Sequence, residues 1–178
     1  MAHLTLVLGG VRSGKSRWAE QLARLHEPVI YLAAAGAGDA EMAERIAWHR
    51  RRRQEQTPTW QTIEEPWDVA RVLATHEAGG CLLLECLTLW VSNRLTGYPR
   101  QTPQEPADIQ TAVAQLVDVA QTIPARVIIV SNETGCGIMP ANALARRFQD
   151  TLGEANQVVA AAAREVYHCV AGIATRIK

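Results

Sequence analysis

Lys15 and Ser16 close a short glycine-rich run whose residue types and spacing suit phosphate chemistry. The run reads Gly9-Gly10-Val11-Arg12-Ser13-Gly14-Lys15-Ser16 and fits the pattern G-x-x-x-x-G-K-[ST]. In this pattern, backbone N–H groups turn toward the phosphates, the lysine reaches the outer phosphates, and the hydroxyl binds Mg²⁺. Lys15 is one of two lysines in the chain, so a lysine at the required place is informative. The sequence therefore predicts a nucleotide site at this loop.

Such a loop needs a strand before it and a helix after it, and the surrounding sequence predicts both. Apolar runs predict strands over residues 4–8, 29–33, 81–85, 127–131 and 166–170. The first four runs are almost continuously apolar, which is typical of parallel strands buried on both faces. Helical periodicity predicts helices over residues 16–25, 109–120 and 144–159, the last one irregular at Gly153, and Pro66 marks the first turn of another. Alternating strands and helices predict an α/β fold: a mostly parallel sheet with helices on both faces.

Length and composition narrow the class of protein. With 178 residues, 48% hydrophobic and 20% charged, the chain suits a single globular domain over residues 1–178. A formal net charge of zero argues against a general binder of polyanions such as nucleic acid. Cys81, Cys86, Cys136 and Cys169 form no C-x-x-C pair, which excludes the common zinc and redox motifs. With neither a membrane-spanning run nor a signal-peptide layout, we expect a cytoplasmic enzyme with reduced thiols.

Glu85 ends the third predicted strand, Cys81-Leu82-Leu83-Leu84-Glu85. In phosphate-loop enzymes, an acid at the end of such a strand holds Mg²⁺ directly or through water. The usual acid is Asp, so three interpretations of the longer Glu85 stay open: a metal ligand, a different task that its longer side chain permits, or an acid that caps a turn.

His49 precedes the run Arg50-Arg51-Arg52-Arg53 in a segment with helical periodicity, residues 39–53. His49 shares a helix side with Met42 and Ile46, and a histidine on an apolar side is most often a core residue. Four arginines are most often the solvated end of a helix. The alternative is a neutral imidazole, partly screened from water, beside guanidinium groups that suit phosphate oxygens, and such an imidazole can attack phosphorus.

Two polar segments are candidates for binding loops. Residues 97–106 contain three prolines and no regular pattern, which fits a solvated connector as well as a substrate loop. Residues 131–140 follow the fourth predicted strand, where open α/β sheets place their ligands, although a structural turn accounts for the two glycines equally well.

Six segments, in order and over nearly the whole chain, carry a family resemblance. They are the glycine run, Glu41-Met42-Ala43-Glu44-Arg45-Ile46 with His49, residues 60–66, Leu83-Leu84-Glu85-Cys86-Leu87-Thr88, residues 131–140 with Asn142, and Asn156-Gln157 before an alanine-rich stretch. Together they resemble the bifunctional adenosylcobinamide kinase and adenosylcobinamide-phosphate guanylyltransferase family of cobalamin biosynthesis. The combination of R-I-x-x-H with S-N-E-x-G-x-G-I-x-P is the specific part. The resemblance implies a P-loop, RecA-like fold.

The resemblance also implies two reactions at one site, with GTP, ATP and Mg²⁺. The terminal phosphate of ATP or GTP passes to the aminopropanol hydroxyl of adenosylcobinamide. A histidine then takes GMP from GTP, releases pyrophosphate, and transfers the GMP to adenosylcobinamide phosphate, which gives adenosylcobinamide-GDP. A homotrimer with sites between subunits is expected by the same analogy.

The resemblance assigns catalysis to His49, the guanylylated residue, and to Lys15. It implies nucleotide contacts at Gly9, Gly10, Val11, Arg12, Ser13, Gly14, Lys15, Ser16, Ala33, Ala34, Ala35, Arg50, Arg51, Arg52, Arg53, Glu64 and Glu85. The expected metal ligands are Ser16 and Glu85.

Two rival functions remain open at the level of sequence. An ordinary P-loop small-molecule kinase would transfer the γ-phosphate with His49 merely structural. A GTP-dependent switch protein would need the guanine-reading tetrapeptide N-K-x-D, and the sequence contains none.

Overall fold

Seven strands of the described part of the chain form one sheet. The structure is a computed structural model that describes residues 3–35, 44, 47, 51, 59–76 and 79–178. The strands are β1 His3–Gly9, β2 Val29–Ala33, β3 Gln61–Glu64, β4 Cys81–Glu85, β5 Arg126–Asn132, β6 Glu165–Val170 and β7 Ile173–Arg176. They lie in the order β3-β2-β4-β5-β1-β6-β7. Neighbouring strands run parallel, except for the antiparallel pair β6 and β7.

Helices cover both faces of this sheet. Within the described ranges they are α1 Lys15–Arg24, α2 Val69–Ala74, α3 Leu87–Thr96, α4 Pro106–Thr122 and α5 Ala143–Ala162. Successive side chains of a strand point to opposite faces, so each central strand contributes to two cores. One core joins Leu6, Leu84 and Ile129 to helices α2 to α5. The other joins Val7, Leu83 and Ile128 to α1.

The predicted α/β architecture is confirmed, including the five predicted strands and helices on both faces. Cys81, Cys86 and Cys169 are buried and Cys136 is exposed, in agreement with their sequence surroundings. The described part of the chain contains no cluster of three or more His, Cys, Asp or Glu residues arranged to hold a metal ion. Among its helices, none is long and apolar enough to cross a membrane.

Two helix predictions were wrong in detail. Helix α5 continues through Gly153 without interruption, because Leu152, Ala155 and Val159 keep one side of the helix buried. The helix expected to start at Pro66 starts at Val69 instead. The Glu65 carboxylate accepts hydrogen bonds from the backbone N–H groups of Trp67 and Asp68, both at 2.9 Å, and this turn delays the helix.

Candidate nucleotide site

The loop between β1 and α1 is closed by its own backbone. Ser13 N donates to Gly10 O at 3.3 Å, and Trp18 N donates to Gly14 O at 3.0 Å. Gly14 is the N-cap residue of α1 and has a φ of 94°, a left-handed conformation that glycine adopts without steric cost. The loop therefore leads directly into a helix N-terminus, whose free N–H groups and positive dipole end favour an anion.

The hairpin of β6 and β7 supports this loop from behind. Gly172 N donates to Ser13 O at 2.9 Å. A Cβ at Gly14 would lie 2.9 Å from Gly172 Cα, and one at Gly9 would lie 2.6 Å from Cys169 O. Both distances are too short for a real side chain, so both glycines are required by close packing of backbone on backbone.

Ser16 and Glu85, the predicted metal ligands, are in contact. Ser16 Oγ donates a hydrogen bond to Glu85 Oε1. Glu85 Oε2 is buried and has no hydrogen-bond partner among the described residues. Hydroxyl and carboxylate oxygens are hard ligands of the kind that Mg²⁺ takes, and a buried carboxylate oxygen without a partner is costly until a cation or donor completes it. This pair of side chains therefore fits a divalent cation.

Lys15 lies across the glycine loop. Its Nζ donates to Gly10 O at 3.2 Å, so the ammonium group is on the same loop as the backbone amides that would face a phosphate. The Lys15 and Ser16 side chains thus flank one loop, as the motif predicts.

The carboxyl ends of three neighbouring strands bring the other predicted contacts to one edge of the sheet. Ala33 of β2 is in register with Glu64 of β3 on one side and with Glu85 of β4 on the other. Ala34 N donates to Glu85 O at 3.0 Å, which fixes the chain just after β2. The expected contacts at residues 33–35, Glu64 and Glu85 are therefore adjacent in space.

Asn93 and Arg94 were missed at the sequence level, although they hold this edge together. Asn93 Nδ2 donates to Ala34 O and to Pro66 O, both at 2.9 Å, and so ties the segments after β2 and β3 to α3. Arg94 donates to Trp67 O at 2.9 Å and to Gln104 Oε1 at 2.8 Å, with its guanidinium 4.4 Å from the Trp90 ring centre. Burial lowers the pKa of Arg94. An amide and an arginine next to each other in a largely apolar segment, Leu87–Thr96, were the available signal.

The segment between β5 and α5 begins beside the glycine loop, and its tip is exposed to solvent. Glu133 N donates to Gly9 O at 3.2 Å, which joins the two loops at their bases. At the tip, the side chains of Ile138 and Met139 are exposed, Ile138 by 96%.

Four predicted residues, His49, Arg50, Arg52 and Arg53, lie outside the described residues. Arg51 is helical and exposed. Val11 and Arg12 are exposed at the outer side of the glycine loop, and Ser13 is buried within it.

Comparison with known families decides what kind of protein carries this site. The sequence model of the family described as "cobinamide kinase / cobinamide phosphate guanyltransferase" matches residues 5–177. The chain belongs to this family. Membership agrees with the resemblance drawn from the sequence motifs, and it identifies a transferase of cobalamin biosynthesis rather than a switch protein.

Relatives of this cobinamide kinase family member align along nearly its whole length. The bifunctional adenosylcobalamin biosynthesis protein CobP of Pseudomonas aeruginosa is 43% identical over 97% of this chain and 96% of its own. The protein CobU of Escherichia coli, described by the same words, is 39% identical over 98% of this chain and 99% of its own.

Solved structures that resemble this family member show its fold alone. The P4 protein from bacteriophage phi6 in complex with ADP superposes with a TM-score of 0.50 at 15% identity, over 98% of this chain and 54% of the phage chain. The ATP synthase subunit NeqB from Nanoarcheaum equitans gives a TM-score of 0.56 at 12% identity, over 94% of this chain and 45% of the subunit. The chain thus spans about half the length of each.

Proposed function

We propose that this protein phosphorylates adenosylcobinamide with ATP or GTP and then transfers GMP from GTP to adenosylcobinamide phosphate through a guanylyl-histidine at His49. The observation that carries the proposal is the contact of Ser16 with Glu85 beside the glycine loop. It joins the two expected cation ligands at a phosphate-binding element in a chain whose family has both activities.

In the kinase step, the aminopropanol oxygen forms a bond to the γ-phosphorus, the bond to the β,γ-bridging oxygen breaks, and the hydroxyl proton is released. Such a transfer depends mostly on positioning and on charge stabilisation. The amides of residues 9–16 hold the triphosphate, and Lys15 neutralises its outer oxygens. Ser16 and Glu85 hold Mg²⁺, which when bound neutralises charge on the phosphates.

In the guanylyl step, a nitrogen of His49 forms a bond to the α-phosphorus of GTP, and pyrophosphate leaves. The phosphate of adenosylcobinamide phosphate then takes the GMP, and the N–P bond breaks. The nucleophile must be neutral imidazole, and the positive charges of residues 50–53 disfavour its protonation while they attract the α-phosphate. Two displacements with lower activation barriers thus replace one displacement with a higher barrier.

The remaining assignments belong to the same proposal. Residues 33–35, Glu64 and Glu85 contact the nucleotide together with residues 9–16 and 50–53. The chain acts as a single domain over residues 1–178, as a homotrimer with sites between subunits, in the cytoplasm. Its partners are adenosylcobinamide and adenosylcobinamide phosphate, and neither nucleic acid nor a membrane takes part.

Labelling with GTP tests the proposal directly. Incubation of the wild-type protein with α-labelled GTP and Mg²⁺ should give a covalent label that is lost in acid and kept in base, as a phosphorus–nitrogen bond requires. The His49→Ala variant should take up no label, yet it should still transfer phosphate from γ-labelled ATP to adenosylcobinamide. Label that persists in the variant would assign the nucleophile to another residue. If the wild-type protein transfers γ-phosphate and never becomes labelled, the ordinary kinase is the correct function.

A further inference from the structure

Three polar side chains, those of Thr88, Ser131 and Asn156, gather around the backbone of Asn132 where β5 ends, beside the glycine loop. Thr88 Oγ1 accepts a hydrogen bond from Asn132 N at 2.8 Å and lies 3.4 Å from Ser131 Oγ. Asn156 of α5 donates from Nδ2 to Asn132 O at 3.1 Å. The backbone of Asn132 is thus held at both its N–H and its carbonyl by side chains from α3 and α5.

Asn132 and Asn156 each carry a carboxamide oxygen that no donor in the described part of the chain reaches. Asn132 Oδ1 and Asn156 Oδ1 are both buried, and neither has a hydrogen-bond partner among the described residues. Asn156 is 7% exposed, and its Nδ2 donates to Asn132 O. Its Oδ1 is therefore the polar atom of this side chain that lacks a partner within the described ranges. A buried acceptor that lacks a donor destabilises the folded protein, and in native proteins such an atom calls for a physical reason.

Strand register places Asn132 on the side of the sheet where phosphate chemistry is expected. Asn132 is in register with Gly9, the first residue of the glycine loop. Val130, two residues earlier, is in register with Glu85 and belongs to the core on the α1 side. Because residues i and i+2 of a strand share a face, Asn132 and Glu85 lie on the same face of neighbouring strands.

We propose that the Asn132 carboxamide is a further substrate-binding residue of the kinase step, and that its Oδ1 accepts a hydrogen bond from an O–H group next to the terminal phosphate. Two sources share this chemistry: the alcohol that accepts the phosphate, and a water molecule bound to the cation held by Ser16 and Glu85. Thr88 and Asn156 act as positioning residues. The inference rests on the proposed function and adds a binding residue outside the glycine loop.

The test compares Asn132→Leu, which keeps the approximate volume and removes the acceptor, with Gln110→Leu as the matched control. Gln110 donates from Nε2 to Thr151 O at 2.9 Å between α4 and α5, and its Oε1 is also buried without a partner in the described part. Asn132→Ala serves as a second variant should the leucine fold poorly. For each variant, kcat, the KM for adenosylcobinamide, the half-saturating Mg²⁺ concentration, α-label uptake from GTP and the thermal unfolding midpoint are measured.

We expect Asn132→Leu to lower kcat/KM for phosphoryl transfer by about tenfold or more, with the unfolding midpoint unchanged and Gln110→Leu indistinguishable from wild type in activity. If the alcohol is the donor, the KM for adenosylcobinamide rises while Mg²⁺ dependence and α-label uptake stay normal. If cation-bound water is the donor, the half-saturating Mg²⁺ concentration rises in both reactions.

The inference is overturned if both Asn132 variants keep wild-type kinase parameters, or if they lose both reactions in proportion to a fall in stability. Failure of the proposed function would look different, because the wild-type protein itself would then take up no α-label.

Discussion

Two loops that follow adjacent parallel strands, β1 and β5, are built in opposite ways. The glycine loop, residues 9–16, is backed by the β6–β7 hairpin, and Ser13 O accepts a hydrogen bond from Gly172 N. The loop of residues 133–142 is fixed at its base by Glu133 N on Gly9 O and at its end by Asn142, which caps α5. Between these points, residues 135–139 are exposed.

The difference matches what each loop is expected to bind. The triphosphate group is the same in ATP and GTP, so one fixed arrangement of backbone amides can bind both nucleotides. Because these amides are already in place, they need no reorganisation at the moment of reaction. The segment of residues 135–139 presents apolar side chains, among them Met139 with 76% of its surface exposed. Its bond within the loop runs from Gly135 N to Glu133 Oε1, at 3.2 Å. In the described structure, therefore, the phosphate-binding loop is the preformed one.

The largest effect is expected from removal of the ammonium group in the first loop. Lys15→Ala should lower kcat/KM of both phosphoryl and guanylyl transfer by about 10²–10³, since a preorganised positive group facing the triphosphate is lost. The measurement is steady-state transfer from γ-labelled ATP alongside α-label uptake from GTP.

The second lysine of the chain provides the control. Lys178 Nζ donates to Ala160 O and Ala161 O, both at 2.9 Å, at the exposed end of the chain. Lys178→Ala should leave both activities unchanged. A Lys15→Ala protein that retains full activity in either reaction would remove the glycine loop from that reaction.

A smaller effect is expected when one glycine in each loop gains a single methyl group. In Gly9→Ala the new Cβ would lie 2.6 Å from Cys169 O, so the loop or the hairpin must shift, at about 1–3 kcal/mol. In Gly137→Ala the new Cβ meets nothing described within 4 Å, and the free energy of unfolding should change by less than about 0.5 kcal/mol.

The two variants are compared by thermal unfolding and by the KM for GTP. Each 1 kcal/mol corresponds to about 2–4 °C for a chain of this size, so only Gly9→Ala should show a clear shift. Its KM for GTP should also rise, because the displaced residues belong to the phosphate cradle. Equal shifts in the two variants would show that the loops do not differ in packing.

The central strands and the glycine loop could be predicted from the sequence because each is encoded locally. Leu82, Leu83 and Leu84 are apolar in a row since both faces of β4 are buried, and a short, continuously apolar run is typical of such a strand. The glycine loop is a motif of eight consecutive residues. Short-range patterns were sufficient for both.

The elements that the sequence did not predict, among them β3 and α3, are stabilised by contacts with residues that are distant in the chain. Strand β3, with the sequence Gln-Thr-Ile-Glu, is an edge strand with three of four residues exposed, so it carries no apolar pattern. Helix α3 is buried on nearly all sides, and without a polar side it shows no helical periodicity. The bonds from Asn93 to Ala34 and Pro66 span 59 and 27 residues, and no local pattern encodes them.

The smallest expected effect concerns two cysteine thiols. One lies in the loop of residues 133–142, and the other lies behind the glycine loop. Cys136 is exposed in the loop of residues 133–142, whereas Cys169 is buried in the hairpin behind Gly9. Burial raises the pKa of the Cys169 thiol and raises that of Cys81 to about 12, and burial next to Glu85 raises that of Cys86. Since the thiolate is the reactive form, iodoacetamide at neutral pH should modify Cys136 rapidly and the three buried thiols only on unfolding. Peptide mass spectrometry over time gives the rate for each residue.

The rate at Cys169 reports on the support of the glycine loop, because its thiol becomes accessible only when the hairpin moves away from Gly9. In a Cys136→Ser variant, iodoacetamide should modify the folded protein hardly at all. GTP with Mg²⁺ should change the slow modification of Cys169 little, because the glycine loop is already in its binding conformation. Rapid modification of Cys169 that GTP suppresses would reverse this interpretation. The phosphate cradle would then be assembled by the nucleotide, and the two loops would differ in sequence rather than in preorganisation.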